Sequence, residues 1–262
     1  MASAGLHSLF KLNPHHQIKE SYWSTIDTEI NDHLKRSISK IHSPQIVVEP
    51  MHHLTFAAPP TTAPALCIAA CELVGGNRHQ AIAAASALKL MHSAAYAHEQ
   101  LPFNNNGQHM FSPNIELLTG DGMVPFGFEL LSRSCDVGMT ESSRVLRVIA
   151  EMARAIGSEG MVGGNRHGLY GCGAACGAIL GGGEEVEIER LRKYGVYVGM
   201  LIKMEEEEGK EKWERIARLR ELAFKELDIF PSEESEEKKV WNNDTLVMAA
   251  EESISGAGAG CV

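Results

Sequence analysis

Residues 64–98 read PALCIAACELVGGNRHQAIAAASALKLMHSAAYAH, and this stretch decides the fold class. It contains two helical segments: the first is opened by Pro64 and stopped by Gly75-Gly76, and the second covers Arg78–His98. Alanine, leucine and methionine fill the second segment almost without interruption, which indicates a helix that is buried over much of its circumference. Because runs of β-branched residues are also scarce in the chain, the sequence predicts an all-α fold.

Outward from this stretch, apolar residues recur at helical spacing along most of the chain. The exception is the segment from Ser43-Pro44 to Pro64, which carries Pro50, Pro59 and Pro60 and is predicted to be irregular. We expect one helical domain over residues 20–254, with flexible segments at 1–19 and 255–262. The other predicted helices are approximately Tyr22–Ile41, Asn114–Arg133, Thr140–Ser158, Arg166–Leu180, a helix that starts at Glu184 and continues past Glu208, Lys210–Asp228 and Lys239–Ser253.

Composition narrows the possible partners. A net charge of −10 argues against nucleic acid, because phosphate contacts need clustered lysine and arginine. No apolar run reaches the roughly 18–20 residues of a membrane span. The six cysteines in 262 residues suit reduced thiols in an intracellular compartment better than a secreted disulfide scaffold. Residues 1–19 lack acidic side chains, which is a weak sign of an organelle transit peptide.

Four of the cysteines form two similar segments, Cys67-Ile-Ala-Ala-Cys71 and Cys172-Gly-Ala-Ala-Cys176. A spacing of four places both thiols of a pair on one helical face, among small residues that permit close approach of another helix. An intrahelical disulfide is not expected, because the two side chains stand parallel. Three roles remain open: packing within this chain, a helix contact with another chain, and a four-thiolate zinc site.

Residues 65–102 and 121–202 resemble the plant geranylgeranyl diphosphate synthase branch of the polyprenyl synthases. The resemblance implies a single-domain helical bundle of that type, shortened relative to catalytic members near Gly163–Gly171. The segments that carry it are PALCIAACELVGG at 64–76, HEQLP at 98–102, LTGD at 118–121, AIGSEG at 155–160 and GAILGGGEEVEIERLR at 177–192.

Enzymes of this family hold Mg²⁺ on two aspartate-rich motifs, and the metal stabilises the departing diphosphate. The first motif is degenerate in this chain: His98 is followed by Glu99 and the neutral amide Gln100. The chain has six aspartates, and no two of them are adjacent. The basic residues that the family uses for diphosphate are also missing, since no lysine or arginine occurs between Lys89 and Arg133.

The second motif of the family falls just after Gly199–Lys203 in the resemblance, where this chain has Glu205, Glu206, Glu207 and Glu208. These glutamates are either a degenerate metal motif or the solvated face of a helix. The basic segment that precedes the first cysteine pair in the family is replaced by FAAPPTTAP at residues 56–64.

This pattern resembles the small subunits of plant heteromeric geranyl diphosphate synthases. The resemblance implies a regulatory chain with no catalytic residue and no cofactor of its own, which pairs as a heterodimer or heterotetramer with a catalytic large subunit that binds Mg²⁺. It also implies a plastid location and a product shifted to geranyl diphosphate for monoterpenes. Cys67, Cys71, Cys172 and Cys176 would support subunit contact, and His98 would be a packed or hydrogen-bonded histidine.

Three alternatives stand beside this hypothesis. The chain could be an independently active prenyltransferase that holds Mg²⁺ on Glu99 and the glutamates at 205–208. It could be a thiol-based zinc or redox protein on a helical scaffold. It could also recruit a synthase without changing the length of the product.

Overall fold

The computed structural model describes residues 14–101, 110–136, 140–160, 168–205 and 212–230. Within these ranges the chain is all-helical, which confirms the predicted fold class. None of the helices in these ranges has the length and apolar character that crossing a bilayer requires. They are α1 (Pro14–Ser39), α2 (Gln45–Ala57), α3 (Ala63–Leu73), α4 (Arg78–Gln100), α5 (Pro113–Asp136), α6 (Ser142–Ile156), α7 (Gly168–Gly181), α8 (Glu185–Glu205) and α9 (Lys212–Leu227).

Helix α7 lies at the centre of the bundle. It packs most extensively on α3 and α8 and also contacts α4 and α6. All residues from Gly171 to Leu180 are buried, as expected for a helix that is apolar around its whole circumference. Helix α4 packs on α5, while α1 and α2 cover α4 and α9 rests on α8. The alanine-rich segment that was predicted to be buried forms α4, which packs on α5 and also contacts the central helix α7.

Glycines on one face of α7 bring its backbone against α3. A methyl group on Gly173 or Gly177 would overlap the carbonyl oxygens of Ala63 and Cys67, respectively. A methyl group on Gly181 would lie 2.6 Å from the carbonyl oxygen of Cys71. We call these three glycines, at spacing four, the glycine ladder. Because no side chain separates the two backbones along it, the ladder sets the distance between α3 and α7.

The opposite side of α7 meets α8 in the same way. A methyl group on Gly171 would lie 2.9 Å from the carbonyl oxygen of Arg192, and one on Gly195 of α8 would overlap the carbonyl oxygen of Tyr170. Helix α7 is thus held between two neighbouring backbones, which explains its high glycine content.

A tight turn joins α3 to α4. Gly75 has φ of +87°, a conformation in which glycine is favoured, and the Gly76 amide donates to the Cys71 carbonyl at 2.9 Å. Asn77 then caps α4: its side chain accepts from the His79 amide at 2.9 Å, and its own amide donates to the Gln80 side chain at 2.8 Å.

Partly buried polar contacts tie α1 to α3 and to the start of α4. Arg78 donates to Glu72 at 2.6 Å and to Glu29 at 3.0 Å, and the Tyr22 hydroxyl donates to Glu72. Burial and the neighbouring Glu72 carboxylate raise the pKa of Tyr22, so this phenol keeps its proton and remains a donor.

One prediction for the N-terminal part of the domain was wrong. The segment expected to be irregular forms α2, with Pro50 inside the helix. The proline removes one backbone hydrogen bond, yet Pro50, Met51 and Thr55 are buried, and the Ser93 hydroxyl donates to the Thr55 carbonyl at 3.2 Å. Tertiary packing therefore outweighs the proline. Helix α1 begins at Pro14, eight residues before its predicted start at Tyr22. The flexibility of residues 1–19 stays a prediction.

The other helices within the described ranges lie within a few residues of their predicted positions. Residues 1–13, the predicted helix Lys239–Ser253 and the predicted flexible tail at 255–262 lie outside the described residues.

The glycine ladder can be tested with Gly177→Ala. We expect the free energy of unfolding to fall by about 3 kcal/mol, because the added methyl group forces α3 and α7 apart. Gly122→Ala on α5 is the matched control, since a methyl group there meets nothing within 4 Å. It should raise stability by about 0.5–1 kcal/mol, because alanine favours the helix. Urea denaturation of both variants measures the difference, and equal effects would contradict the ladder.

Candidate subunit site and degenerate metal motifs

His98 stands in the last turn of α4, where the first metal motif was expected to be degenerate. Its Nε2 donates to the carbonyl oxygen of Leu117 at 3.3 Å and lies 3.5 Å from Asp121 Oδ1, both on α5. Gly120 makes room for the ring, because a methyl group at this position would overlap it. The structure thus confirms the expectation of a hydrogen-bonded histidine, engaged in the contact between α4 and α5.

The other described positions of the two motifs, which the sequence predicts to be degenerate, lie at helix ends. Glu99 and Gln100 close α4 and are half-buried, and Glu205 is the last residue of α8. Glu206, Glu207 and Glu208 lie outside the described residues. In the part of the chain that the structure describes, no three side chains among His, Cys, Asp and Glu are grouped so that they could hold a metal ion.

Donor chemistry agrees with this geometry at the first motif. Mg²⁺ prefers several oxygen ligands, carboxylates above all. The end of α4 offers one carboxylate at Glu99, one neutral amide at Gln100 and an imidazole whose Nε2–H already donates to a carbonyl oxygen. The Asp121 carboxylate of α5 faces that imidazole at 3.5 Å. The residues present at the end of α4 therefore do not fit the metal that the family uses.

The four cysteines of the paired segments are buried inside this chain. Exposure is 0% for Cys67, Cys71 and Cys176 and 3% for Cys172. They lie on α3 and α7, the helices joined by the glycine ladder, and the Sγ atoms of Cys172 and Cys176 are 3.7 Å apart. The thiol groups are therefore covered by their own chain. Their predicted role in subunit contact stays a prediction, and it requires an effect that passes through the packing of α3 and α7.

Burial also determines the chemistry of these thiols. It raises the pKa of Cys67 and raises that of Cys71 to about 12. The Cys71 thiol donates to the carbonyl oxygen of Asn77 at 3.4 Å and so joins the end of α3 to the cap of α4. The pKa of Cys176 is raised first by its hydrogen bond with Cys172 and then by burial. These three thiols behave as small buried hydrophobic groups.

Helix α5 carries an exposed apolar stripe that the sequence reasoning did not single out. Leu118 is 68% exposed, Gly122 faces open space and Pro125 is also exposed, at successive spacings of four and three. These spacings put the three residues on one helical face. We call them the α5 stripe. The sequence signal was available, because Leu118 and Pro125 are apolar residues outside the positions that face α4.

Comparison with known proteins supports one family. No family model matched the chain. A small subunit of the chloroplastic heterodimeric geranylgeranyl pyrophosphate synthase of Cannabis sativa is 42% identical over 86% of this chain and 91% of its own length. The corresponding small subunit of Arabidopsis thaliana is 32% identical over 87% of this chain and 80% of its own length.

Solved structures agree. The geranyl diphosphate synthase small subunit from Antirrhinum majus is 46% identical, with a TM-score of 0.77 over 87% of this chain and 98% of that one. A chain of the heterotetrameric geranyl pyrophosphate synthase of mint is 44% identical, with a TM-score of 0.75 over 86% of this chain and 98% of that one. This chain belongs to the polyprenyl synthase family, among the small subunits of plant heteromeric geranyl and geranylgeranyl diphosphate synthases.

Proposed function

We propose that this small subunit is non-catalytic and acts by binding a catalytic large subunit, whose product it shifts to geranyl diphosphate. The observation that carries the proposal is the first motif at the end of α4. Its carboxylates are reduced to Glu99, and its histidine is occupied with the Leu117 carbonyl. Prenyl transfer begins with the ionisation of an allylic diphosphate, and this step needs metal-bound carboxylates and basic side chains.

The partner chemistry follows from the family. The relatives are named as small subunits of heterodimeric synthases, and the mint enzyme is named as a heterotetramer. We infer that the partner of this chain is a large subunit of the same family and that Mg²⁺ is bound there. The named relatives are chloroplastic, which supports a plastid location for this chain.

The α5 stripe is the best candidate for the docking face. Leu118 exposes 68% of its surface to solvent, and Leu117 beside it exposes 39%. Burying an exposed leucine against a partner contributes about 1.5–3 kcal/mol. The stripe begins next to Asp121 and His98, so a partner that docks here would also meet the end of α4. The contact between subunits and the degenerate motif would then lie side by side.

A product assay tests the function. It compares this chain alone, a plant geranylgeranyl diphosphate synthase large subunit alone, and the two co-expressed, each with allylic and homoallylic diphosphates and Mg²⁺. We expect no turnover from this chain alone and a gain of ten-carbon product in the mixture. Turnover by the purified chain would show that it is catalytic. A complex that keeps the product of the large subunit would reduce its role to recruitment.

Leu118→Glu tests the docking face. The variant should weaken binding to the large subunit at least about tenfold, equivalent to about 1.4 kcal/mol, because a charge would be buried in an apolar contact. Val186→Glu is the matched control, since Val186 is 64% exposed on α8. Calorimetric titration measures both affinities. If Val186→Glu weakens binding and Leu118→Glu does not, the docking face lies elsewhere.

Substitution of Cys67 tests whether its thiol contacts the large subunit directly or affects binding only through the packing of this chain. Cys67→Ser places a hydroxyl group at a fully buried position, so the isolated chain should lose about 1–3 kcal/mol of stability. We expect partner affinity to fall in parallel, because the effect passes through the packing of α3 and α7. Thermal denaturation and binding are measured on the same preparation, with Cys67→Ala as an apolar control. Lost affinity at unchanged stability would mean that the thiol contacts the partner.

A further inference from the structure

Helix α5 contains three glycines, and two of them serve packing within this chain. A methyl group on Gly120 would overlap the ring of His98 on α4. One on Gly127 would lie 3.2 Å from the Cβ atom of Ala87, also on α4. At Gly122, by contrast, an added methyl group meets nothing within 4 Å. Glycine destabilises a helix relative to alanine, and no contact with the described residues of this chain offsets that loss at Gly122.

Gly122 lies in the middle of the α5 stripe, between Leu118 and Pro125. Both of these neighbours are exposed, and they stand on the same helical face. A position without a side chain between two exposed apolar side chains leaves a depression, which we call the Gly122 notch. A side chain of another protein can therefore approach the backbone of α5 at this point.

Pro125 gives the notch a hydrogen-bond acceptor. Proline has no N–H, so the carbonyl oxygen of Asp121 lacks the donor that it would have four residues further along a regular helix. Water can bond to this oxygen in the isolated chain. A partner that covers the notch removes the water, and a buried carbonyl oxygen without a donor is destabilising. We therefore expect the partner to supply an N–H or O–H group.

The charges around the notch favour a cationic donor. The side chain of Asp121 is 63% exposed, and its described contact is with His98, whose Nε2 lies 3.5 Å from Oδ1. The chain has no lysine or arginine between Lys89 and Arg133. Arg133 itself is paired with Glu129 at 2.5 Å. A lysine or arginine from a partner would meet an unopposed carboxylate here, and hydrogen bonds from charged donors are the stronger ones.

We propose that the Gly122 notch receives a lysine or arginine side chain of the large subunit. This side chain donates to the Asp121 carbonyl oxygen that Pro125 leaves without a helix donor, and its charge is met by the Asp121 carboxylate. The inference rests on the proposed function, because it names the chemistry by which the large subunit is recognised at the α5 stripe. A second copy of this chain fits less well, since Arg133 is the one cation in the sequence of α5.

Gly122→Ala in the full chain is the decisive variant, because stability and binding should change in opposite directions. The isolated chain should become more stable in urea denaturation, since alanine favours the helix. Affinity for a plant geranylgeranyl diphosphate synthase large subunit should fall at least about fivefold in calorimetric titration, since the methyl group fills the notch. Pro125→Ala restores an N–H for the Asp121 carbonyl and should change both quantities in the same directions. Unchanged affinity in both variants would overturn the proposal.

The charge of the partner is tested with Asp121→Asn, which keeps the size of the side chain. Affinity should fall about tenfold, because a charge-assisted contact is lost. Glu129→Gln is the matched control on the same helix. It lies eight residues away, about 12 Å along the axis, and should leave affinity within about twofold. Equal affinities of the two variants would contradict a cationic partner.

The wild-type chain distinguishes this proposal from the proposed function. If it binds the large subunit and shifts its product, while Gly122→Ala binds as tightly, the function stands and the notch has no part in it. If the wild-type chain does not bind, both proposals fail. Sedimentation of this chain alone should show a monomer. A dimer that Leu118→Glu dissociates would mean that a second copy occupies the stripe, and the choice of partner would be wrong.

Discussion

The structure depends on the backbone contact between α3 and α7 along the glycine ladder. Gly173, Gly177 and Gly181 leave no side chain between the two helices, and their partners are carbonyl oxygens of α3. The glycines of α7 and the α3 residues whose carbonyl oxygens they contact both recur every four residues. The carbonyl oxygens of Cys67 and Cys71 face Gly177 and Gly181, so the spacing of this cysteine pair coincides with the repeat. Small side chains are required on both helices, since larger ones would separate the backbones.

The same contact explains why the fold does not depend on the residues at the end of α4. The ladder, the contact of α7 with α8 and the turn at Gly75 involve none of the residues that close α4. At that end of α4, His98 contributes instead to helix packing through the carbonyl of Leu117. Substitutions at Glu99 and Gln100 therefore fall on half-buried positions at a helix end, where changes in charge cost little stability.

Local patterns predicted most of the helices, because their stop signals are local. Gly75-Gly76 ends α3 through a positive φ that the dipeptide itself makes accessible. Helix α2 was missed because Pro50 argues for irregular structure, and tertiary packing on α4 and α5 outweighs it. The sequence also did not predict which distant helices pack against each other. The four-residue spacing of the cysteines was visible, but its opposition to the glycines of α7 depends on the tertiary fold.

The α5 stripe shows that a candidate binding surface, too, depends on tertiary packing that local sequence patterns do not predict. Helical spacing places Leu118 and Pro125 on one face, but only the packing of α5 against α4 shows that this face is left exposed. Apolar side chains scattered on a surface need no partner. What makes the stripe informative is that Leu118 directly follows Leu117, whose carbonyl oxygen accepts from His98 at the end of α4.

Under the proposed function, this chain changes its partner's product only through a difference in binding free energy. If it bound all states of the large subunit equally, it would shift no equilibrium, however tight the complex. A tenfold change in the ratio of products needs a difference of about 1.4 kcal/mol. Burying one exposed leucine against one state of the large subunit, but not against another, contributes a free energy of comparable size. A short apolar stripe such as that on α5 is therefore large enough, by this measure, to carry the proposed regulation.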